Sequence, residues 1–509
     1  MIENSAPRRG GKQRRTAPGV RQLPFGRIVN PYSPIEVISA DQVEAIIDAA
    51  LTILETRGMR FLEASSRQLL RAAGVENDET ARVMRFDRGL VLEKLALAPP
   101  QFTLRARNRA HDLRIGGNDV VFCSVGGPAF CSDLDRGRRP GTHAELCDFM
   151  RLVQSLNILH QESGGSFEAM DLPPESRHLD LYLAQCTLLD KNCQALALGR
   201  ERTVDCIEMT RIALGVSREE LASDPAVLAI VNTNSPLQLD IPMTEAVIEL
   251  ASAGQACCIT PFTLAGSMSP VTIAGTLAQQ TAEVLAVATL SQVVRPGAPI
   301  IYGSFASNVD MQSGAPALGT PEYTKAALAS GQIARRLRLP LRSSNTTTSN
   351  CVDAQAAYEG AMSLWGAIMG HANLVYHAAG WLESGLTASF EKLITDAEML
   401  QMMAEFLRPI EVNAGELALD AIAEVEPGGH HFGTAHTLAR FASAFYMPML
   451  STRQNFETWQ EAGSLDAAQR ANGIWKHLLA EYQRPPLDPA IEEALKDYVA
   501  RRKREIGSR

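Results

Sequence analysis

The sequence predicts an α/β protein: a (β/α)8 TIM barrel with N-terminal and C-terminal helical additions. Three observations predict it. Between residues 118 and 408, eight apolar or β-branched runs alternate with helical patterns, an alternation that argues for a parallel sheet. Eight units over that span match a closed barrel, which typically takes ~250 residues. No G-x-G-x-x-G follows the first run, which lowers the case for an open, doubly wound dinucleotide fold.

The elements follow in order. Residues 1–35 are rich in Arg, Gly and Pro and carry Arg8, Arg9, Lys12, Arg14 and Arg15. They are expected to form a flexible basic arm. Residues 36–117 read as an N-terminal helical and ribbon cap. Its first helix, 40–58, has apolar positions at helical spacing and stops at Gly58. Helices near 64–73 and 89–96 follow, and an alternating ribbon spans 101–117, with Thr103, Arg105 and Arg107 on one face. The barrel then occupies 118–408. Its strands are expected at 120–125, 158–163, 193–198, 227–232, 257–264, 299–305, 341–346 and 374–378. Its helices are expected at 143–156, 175–189, 202–214, 243–253, 271–294, 321–337, 353–369 and 389–407. Residues 409–509 read as a C-terminal helical cap packed on the barrel. Helices at 412–422 and 434–446 flank a Gly-His loop at 427–433, and two helices over 464–509 are split by Pro485-Pro486.

Composition narrows the class. The balance of 46% hydrophobic and 21% charged residues is that of a globular protein. A net charge of -9 argues against a nucleic-acid surface, which needs a positive field. No apolar run is long enough to span a bilayer, and no apolar segment of a secretory signal follows the N-terminal arginines. The nine cysteines are scattered, odd in number and without a CxxC pair, so free thiols in a reducing cytoplasm are expected. Cys351 is the exception, because it falls in a polar loop.

In a (β/α)8 barrel, chemistry gathers where the strands end and the next loops begin. The segments there are Gly126-Gly127, Glu162-Ser163, Thr233-Asn234-Ser235, Thr263, Gly266-Ser267, Tyr302, Phe305, Ser344 to Asn350, His377 and Trp381. The set is polar but mostly neutral. It lacks the paired carboxylates of glycoside hydrolysis, H-E-x-x-H, a Walker loop and G-x-S-x-G. A neutral, partly aromatic mouth suits a large apolar cofactor or a cationic alkyl ligand, which aromatic faces attract. Each residue also has a packing alternative: His377 as a satisfied polar group, and Tyr302, Phe305 and Trp381 as core. His430, His431 and His436 lack the i, i+4 frame and completing ligands of a metal site, so no metal is expected.

Several segments together carry a family resemblance. They are Gly126-Gly127-Pro128-Ala129, Asn234-Ser235-Pro236-Leu237, Asp353-Ala354-Gln355-Ala356-Ala357-Tyr358-Glu359, His377 to Trp381, Gly385-Leu386-Thr387-Ala388-Ser389-x-Glu391, and Gly428-Gly429-His430-x-x-Gly433-x-x-His436-Thr437. In order and spacing the chain resembles the trimethylamine:corrinoid methyltransferase superfamily over nearly its whole length. The founding enzymes carry pyrrolysine just upstream of a segment like Asp353-Ala354-Gln355. Here that stretch holds only Thr347, Thr348, Ser349, Asn350 and Cys351, which points to a non-pyrrolysine member of the glycine betaine methyltransferase type.

The resemblance implies methyl transfer to the Co(I) of a corrinoid carried by a partner protein, with no tightly bound cofactor of the chain's own. A quaternary ammonium leaves as a neutral amine and needs no general acid, so glycine betaine, proline betaine or carnitine is the expected donor. In that setting His377 is the expected catalytic residue. Glu162, Asn234, Ser235, Tyr302, Phe305, Ser344, Asn345 and Trp381 are the expected substrate contacts, and Gly126, Gly127, Asn350 and Cys351 are expected to face the corrinoid. A homo-oligomer is compatible with the fold. The rival readings are a betaine- or corrinoid-binding barrel without turnover, and transfer with another donor or acceptor such as tetrahydrofolate.

Overall fold

The computed structural model describes residues 19–507 of the chain. Eight parallel strands close into a barrel: β1 (Asp119–Ser124), β2 (Gln161–Glu162), β3 (Asn192–Ala195), β4 (Leu228–Val231), β5 (Ala256–Ile259), β6 (Ile300–Gly303), β7 (Leu341–Ser344) and β8 (Leu374–Ala379). Each pairs with the next, and β8 pairs back onto β1. The intervening helices are α1 (His143–Ser155), α2 (Arg177–Leu188), α3 (Gly199–Leu214), α4 (Ile241–Ser252), α5 (Ile273–Val294), α6 (Pro321–Arg336), α7 (Ala354–Met369) and α8 (Phe390–Phe406). All eight expected strand–helix units are present.

Local sequence explains why the helices start where they do. Thr142 and Glu145 form a capping box at α1. Asp240 caps α4 and Thr320 caps α6, each with proline in the first turn, and Asp353 and Ser389 cap α7 and α8. These side chains accept from N–H groups that have no partner within the helix. Proline suits the first turn because it lacks one of those donors.

Strand alternation sorts the barrel side chains into two apolar layers. Val121, Cys123, Leu228, Ala256, Cys258, Ile301, Leu374 and Tyr376 form the inner layer. Their neighbours Val120, Phe122, Ala229, Cys257, Ile300, Tyr302 and Val375 belong to the layer between strands and helices. The inner layer is completed by Leu104, Leu113 and Ile115 of a hairpin, Gln101–Leu104 paired with Leu113–Gly116. That hairpin, expected as a ribbon, therefore plugs the N-terminal end of the barrel.

The N-terminal cap places helices Ala40–Thr56, Ala64–Ala72 and Arg88–Leu95 against α5, which is buried along most of its length. Being covered on both sides, α5 has no solvent-facing polar stripe, and its buried polar residues find partners inside: Gln280 and Thr281 bind the Tyr302 hydroxyl, and Glu283 accepts from Thr233 and Ser235. Residues 1–18, with the basic cluster, lie outside the described residues. Residues 19–35 do not behave as a free arm. They run as a strap across the barrel base: Asn30 Nδ2 donates to the Ile368 carbonyl, Tyr32 Oη to the Phe406 carbonyl, and Ile28–Val29 pairs antiparallel with β1.

Two helices of the C-terminal region, Ala467–Glu481 and Pro489–Gly507, pack on the outside of the barrel. Trp475 Nε1 and Asn472 Nδ2 donate to Glu391, and Arg502 and Tyr498 bind Asp205. The segment before them differs from the expected packed cap. The helices expected at 412–422 and 434–446 shrink to Ala414–Leu417, Leu419–Ala423 and Ala435–Arg440, and most of 409–448 is exposed. Pro427 and the glycines after it leave too few residues for long helices there. No helix among the described residues is long and apolar enough to cross a membrane.

Candidate active site

A cavity of about 320 Å³ opens at the C-terminal end of the barrel, and every strand or the loop after it contributes. Its walls include Gly126, Gly127, Ser163, Gln194, Asn232, Thr260, Phe262, Phe305, Arg342, His377 and Trp381.

His377 reaches this cavity through an interruption in β8. The register with β1 shifts between Val375 and Ala379, and His377 itself has φ +51°. Bulges of this kind re-aim a side chain, and a non-glycine residue in the left-handed region persists only when its surroundings enforce it. The ring is held by Trp381, whose centroid is 4.3 Å away, and by the Gly126 N–H, which donates to Nδ1 at 3.3 Å. A neutral imidazole accepting at Nδ1 carries its proton on Nε2. Burial first, and then the charge of Arg342, hold His377 well below its usual pKa of 6.5, so the ring is neutral.

Trp381 is fixed from behind. Its Nε1 donates to the Thr347 carbonyl at 3.2 Å, and Ser384 N donates to the same oxygen. The rim loop bearing Thr347 is gathered in turn by Glu359, which accepts from Thr347 Oγ1, Thr348 N and Gln355 Nε2. Gly385 lies under the indole: a Cβ there would sit 2.5 Å from the Trp381 ring, at φ +93°. Phe305 stands 6.2 Å from Trp381 and 5.1 Å from Phe262, centroid to centroid. Together the three rings form an aromatic wall.

Arg342 points inward from β7 and is 2% exposed. Its guanidinium lies over the Phe305 and Tyr376 rings, 5.0 and 5.3 Å from their centroids. Nη1 donates to the Ser304 carbonyl at 3.3 Å, and Nε is buried without a partner. Among the described residues no carboxylate pairs with it. Burial lowers its pKa, yet arginine stays charged in proteins. Two more buried polar atoms of lining residues lack partners, Ser163 Oγ and Gln194 Oε1. Such groups are costly to leave unmade.

The residues expected at the site divide. Gly126, Gly127, Phe305, His377 and Trp381 line the cavity. Glu162 does not: it turns outward on β2, where its carboxylate accepts from Gly164 N, Gly165 N and Gln185 Nε2 and shapes the loop behind the wall. Tyr302 also faces outward, its hydroxyl bound to Thr281 and Gln280 of α5. Asn234 binds Asp240, and Ser235 binds Glu283, so both brace the β4–α4 loop. Ser344 and Asn345 are buried beneath the rim, with Asn345 Nδ2 on the Ala378 carbonyl. Asn350 and Cys351 are exposed on the rim loop, outside the cavity lining. The histidines of the 427–433 loop do not converge with other ligands, and no group of three or more His, Cys, Asp or Glu suited to a metal occurs among the described residues. Arg342, Gln194, Asn232, Thr260 and Phe262 are among the lining residues the sequence reading passed over.

A sequence model of the family described as trimethylamine methyltransferase (MTTB) matches residues 5–507. The chain belongs to that family. It is 35% identical over 484 residues to the glycine betaine methyltransferase of Desulfitobacterium hafniense (strain Y51), covering 95% of this chain and 100% of that protein. It is 27% identical over 482 residues to the trimethylamine methyltransferase MttB2 of Methanosarcina mazei, covering 92% and 94%. Among solved structures, the hydroxylamine complex of MtmB aligns with a TM-score of 0.52 at 11% identity, over 89% of this chain and 90% of that one; it shares the barrel fold. Membership of the family makes the protein a methyltransferase.

Proposed function

We propose that this methyltransferase takes a methyl group from a small betaine, a quaternary amine carrying a carboxylate, and delivers it to the reduced cobalt of a corrinoid held by a partner protein. One observation carries the reading: Arg342 is a buried guanidinium without a carboxylate partner, aimed into a cavity walled by Phe262, Phe305 and Trp381. A desolvated charge of this kind costs several kcal/mol unless it is paired. A donor carboxylate would pair it, and the rings would receive the ammonium methyls by cation–π attraction.

The same charge argues against a plain cation such as protonated trimethylamine. With no carboxylate of its own, that ligand would face Arg342 across a dry cavity. A zwitterion cancels the repulsion.

The chemistry fits the groups available. Attack of a nucleophile on a methyl carbon of a quaternary ammonium releases a neutral amine, so no proton is needed. The described lining includes no carboxyl or ammonium group, and its one histidine is neutral. The residues' work is then to hold the donor in line and to exclude water. His377 Nε2–H can orient the carboxylate beside Arg342, while Ser163 and Gln194 bind its other polar edge. The mouth is bordered by Gly127, Ser384 and Gly385, small neutral residues that leave room for a flat macrocycle to approach. The similarity to a protein named for glycine betaine supports this choice of donor.

The test mixes the purified protein with cob(I)alamin and, separately, glycine betaine, proline betaine, carnitine, choline and trimethylamine, and follows the loss of Co(I) absorbance. Loss with one or more carboxylated quaternary amines, and none with choline or trimethylamine, supports the proposal. Turnover of choline or trimethylamine as fast as of any betaine would overturn it.

A further inference from the structure

His377 and Trp381 are joined by a turn rather than by regular strand. The chain passes through φ +51° at His377 and φ +105° at Gly380, and brings the imidazole and the indole to face one cavity. Backbone groups hold the turn at two points: Val125 N donates to the Ala379 carbonyl and Ser389 N to the Gly380 carbonyl, each at 2.9 Å. Side chains hold it at two more. Asn345 Nδ2 donates to the Ala378 carbonyl at 2.9 Å, and Gly380 N donates to Asp396 Oδ2 at 2.9 Å. The turn is also tightly packed: a Cβ on Gly380 would lie 2.8 Å from Val125 Cγ1 and 3.1 Å from Phe149 Cζ.

Asp396 comes from the second turn of α8 and is fully buried. Its other oxygen, Oδ1, accepts from Lys392 Nζ one helical turn earlier, and Lys392 is buried too. Helix α7 gives way to the pair with Gly360, where a Cβ would lie 3.1 Å from Asn345 Oδ1 and 3.7 Å from Lys392 Nζ. Burial pushes the Asp396 carboxyl up, and Lys392, the Gly380 N–H and Asn345 oppose that rise. A buried ion pair adds little to stability, because desolvation offsets its attraction. Neither residue lines the cavity. What the pair supplies to the site is a carboxylate oxygen at a fixed point behind Gly380.

We propose that Asp396, held by Lys392, is a positioning residue for the methyl transfer: by binding Gly380 N it fixes the turn that sets the His377 ring against the Trp381 ring. This rests on the reading of the cavity as the donor site. In-line attack tolerates little displacement, and a misplacement of ~1 Å costs about 100-fold in rate. A turn with two left-handed residues keeps its shape only when its surroundings enforce it, and Asp396 is the part of those surroundings that comes from α8.

The experiment separates the oxygen from the charge. Lys392→Met/Asp396→Asn removes both charges and keeps an acceptor for Gly380 N. Lys392→Met/Asp396→Leu removes both charges and the acceptor at similar volume. Each full-length variant is labelled with 5-fluorotryptophan, and the Trp381 fluorine resonance is assigned with Trp381→Phe. The asparagine variant is expected to keep the wild-type Trp381 resonance, with kcat and KM within about threefold. The leucine variant is expected to shift the Trp381 resonance while those of Trp365, Trp459 and Trp475 stay in place. Its kcat should fall about tenfold through lost alignment, and its KM should rise about tenfold through the weakened ring contact. A smaller folded fraction would instead lower apparent kcat and leave KM and the resonance positions alone. Kinetics use whichever donor the wild type turns over fastest. If it turns over none of the betaines, the donor reading fails by itself, and the fluorine resonance, recorded without ligand, still decides whether Asp396 sets the turn. An unmoved Trp381 resonance in the leucine variant overturns the proposal. So does a moved resonance with unchanged kcat and KM, or an asparagine variant as impaired as the leucine one. Should the leucine variant fail to fold, Asp396→Glu keeps the charge, moves the acceptor by one methylene and decides the question by the same readouts.

Discussion

The Arg342 guanidinium rests over the ring of Phe305, 5.0 Å from its centroid, and within the described chain its charge is answered by a carbonyl alone. Stacking on a ring face leaves the edge of the guanidinium plane free for a planar anion. The two residues therefore fix where a carboxylate can sit relative to the aromatic wall.

Replacing that cation is the sharpest test of donor recognition. Arg342→Gln is expected to raise the KM for the betaine donor by about 100-fold, the effect of leaving a carboxylate unpaired at ~3 kcal/mol. The donor's uncharged-head analogue, 3,3-dimethylbutanoate, should lose affinity by a similar factor, because it keeps the carboxylate. Calorimetric titration of both ligands measures this. Equal affinity in wild type and variant would remove Arg342 from the site.

Gly385 supports the aromatic wall through the space it leaves. Gly385→Ala puts a methyl group 2.5 Å from the Trp381 ring at a backbone φ of +93°, so the indole has to move. Overpacking of this kind costs about 1–3 kcal/mol. The expected outcome is a folded protein with a shifted tryptophan emission. Betaine binding should weaken by about tenfold, as the loss of one cation–π contact of ~1–2 kcal/mol implies. Affinity for 3,3-dimethylbutanoate should fall less, since that ligand has no cation to lose.

His377 gives the protein a pH signature in stability rather than in rate. Its pKa in the folded protein lies well below 6.5, by burial and then by Arg342. The unfolded chain therefore binds a proton near pH 6.5 that the folded chain refuses. The neutral ring's contribution is complete above that value and is lost as pH falls, by ~1.4 kcal/mol for each unit until the folded pKa is reached. Urea unfolding at pH 7 and pH 5 should show this loss, and His377→Gln should shrink it. Turnover should stay flat from pH 6.5 to 8, because His377 does not titrate there; a rate that falls with rising pH across that interval would assign it an acid's role.

Much of this architecture was legible in the sequence because it is carried by period and count. Alternating apolar runs and helical stretches give the eight units, and the glycines and polar residues after each run mark the mouth. The register within a strand was not legible. On β2 and β6 the expected Glu162 and Tyr302 fall on the outward parity and bind Gln185 and the α5 residues instead. On β7 the inward position belongs to Arg342, which sat unremarked between Leu341 and Ser343. A charged residue inside a short strand of an otherwise neutral barrel was the available signal, because such a residue is buried only where something pairs it. Phe305 and Trp381 were accessible to sequence reasoning since they lie beyond the strand ends, where parity matters less, and His377 because the irregularity within β8 frees it from the strand's alternation. The exposure of most of 409–448 could not be foreseen: its apolar spacing reads the same whether or not the barrel covers it.

The hairpin that fills the barrel base has a kinetic consequence. With Leu104, Leu113 and Ile115 packed into the inner layer, the barrel is filled at its N-terminal end and the cavity opens at the other. On the proposed reading, donor and acceptor would share that end, so the smaller molecule would enter first and the larger one would close over it. After transfer the sequence would reverse, and the demethylated amine would stay trapped until the acceptor withdrew. A stoppered tube of this geometry would then impose a compulsory order of arrival and departure.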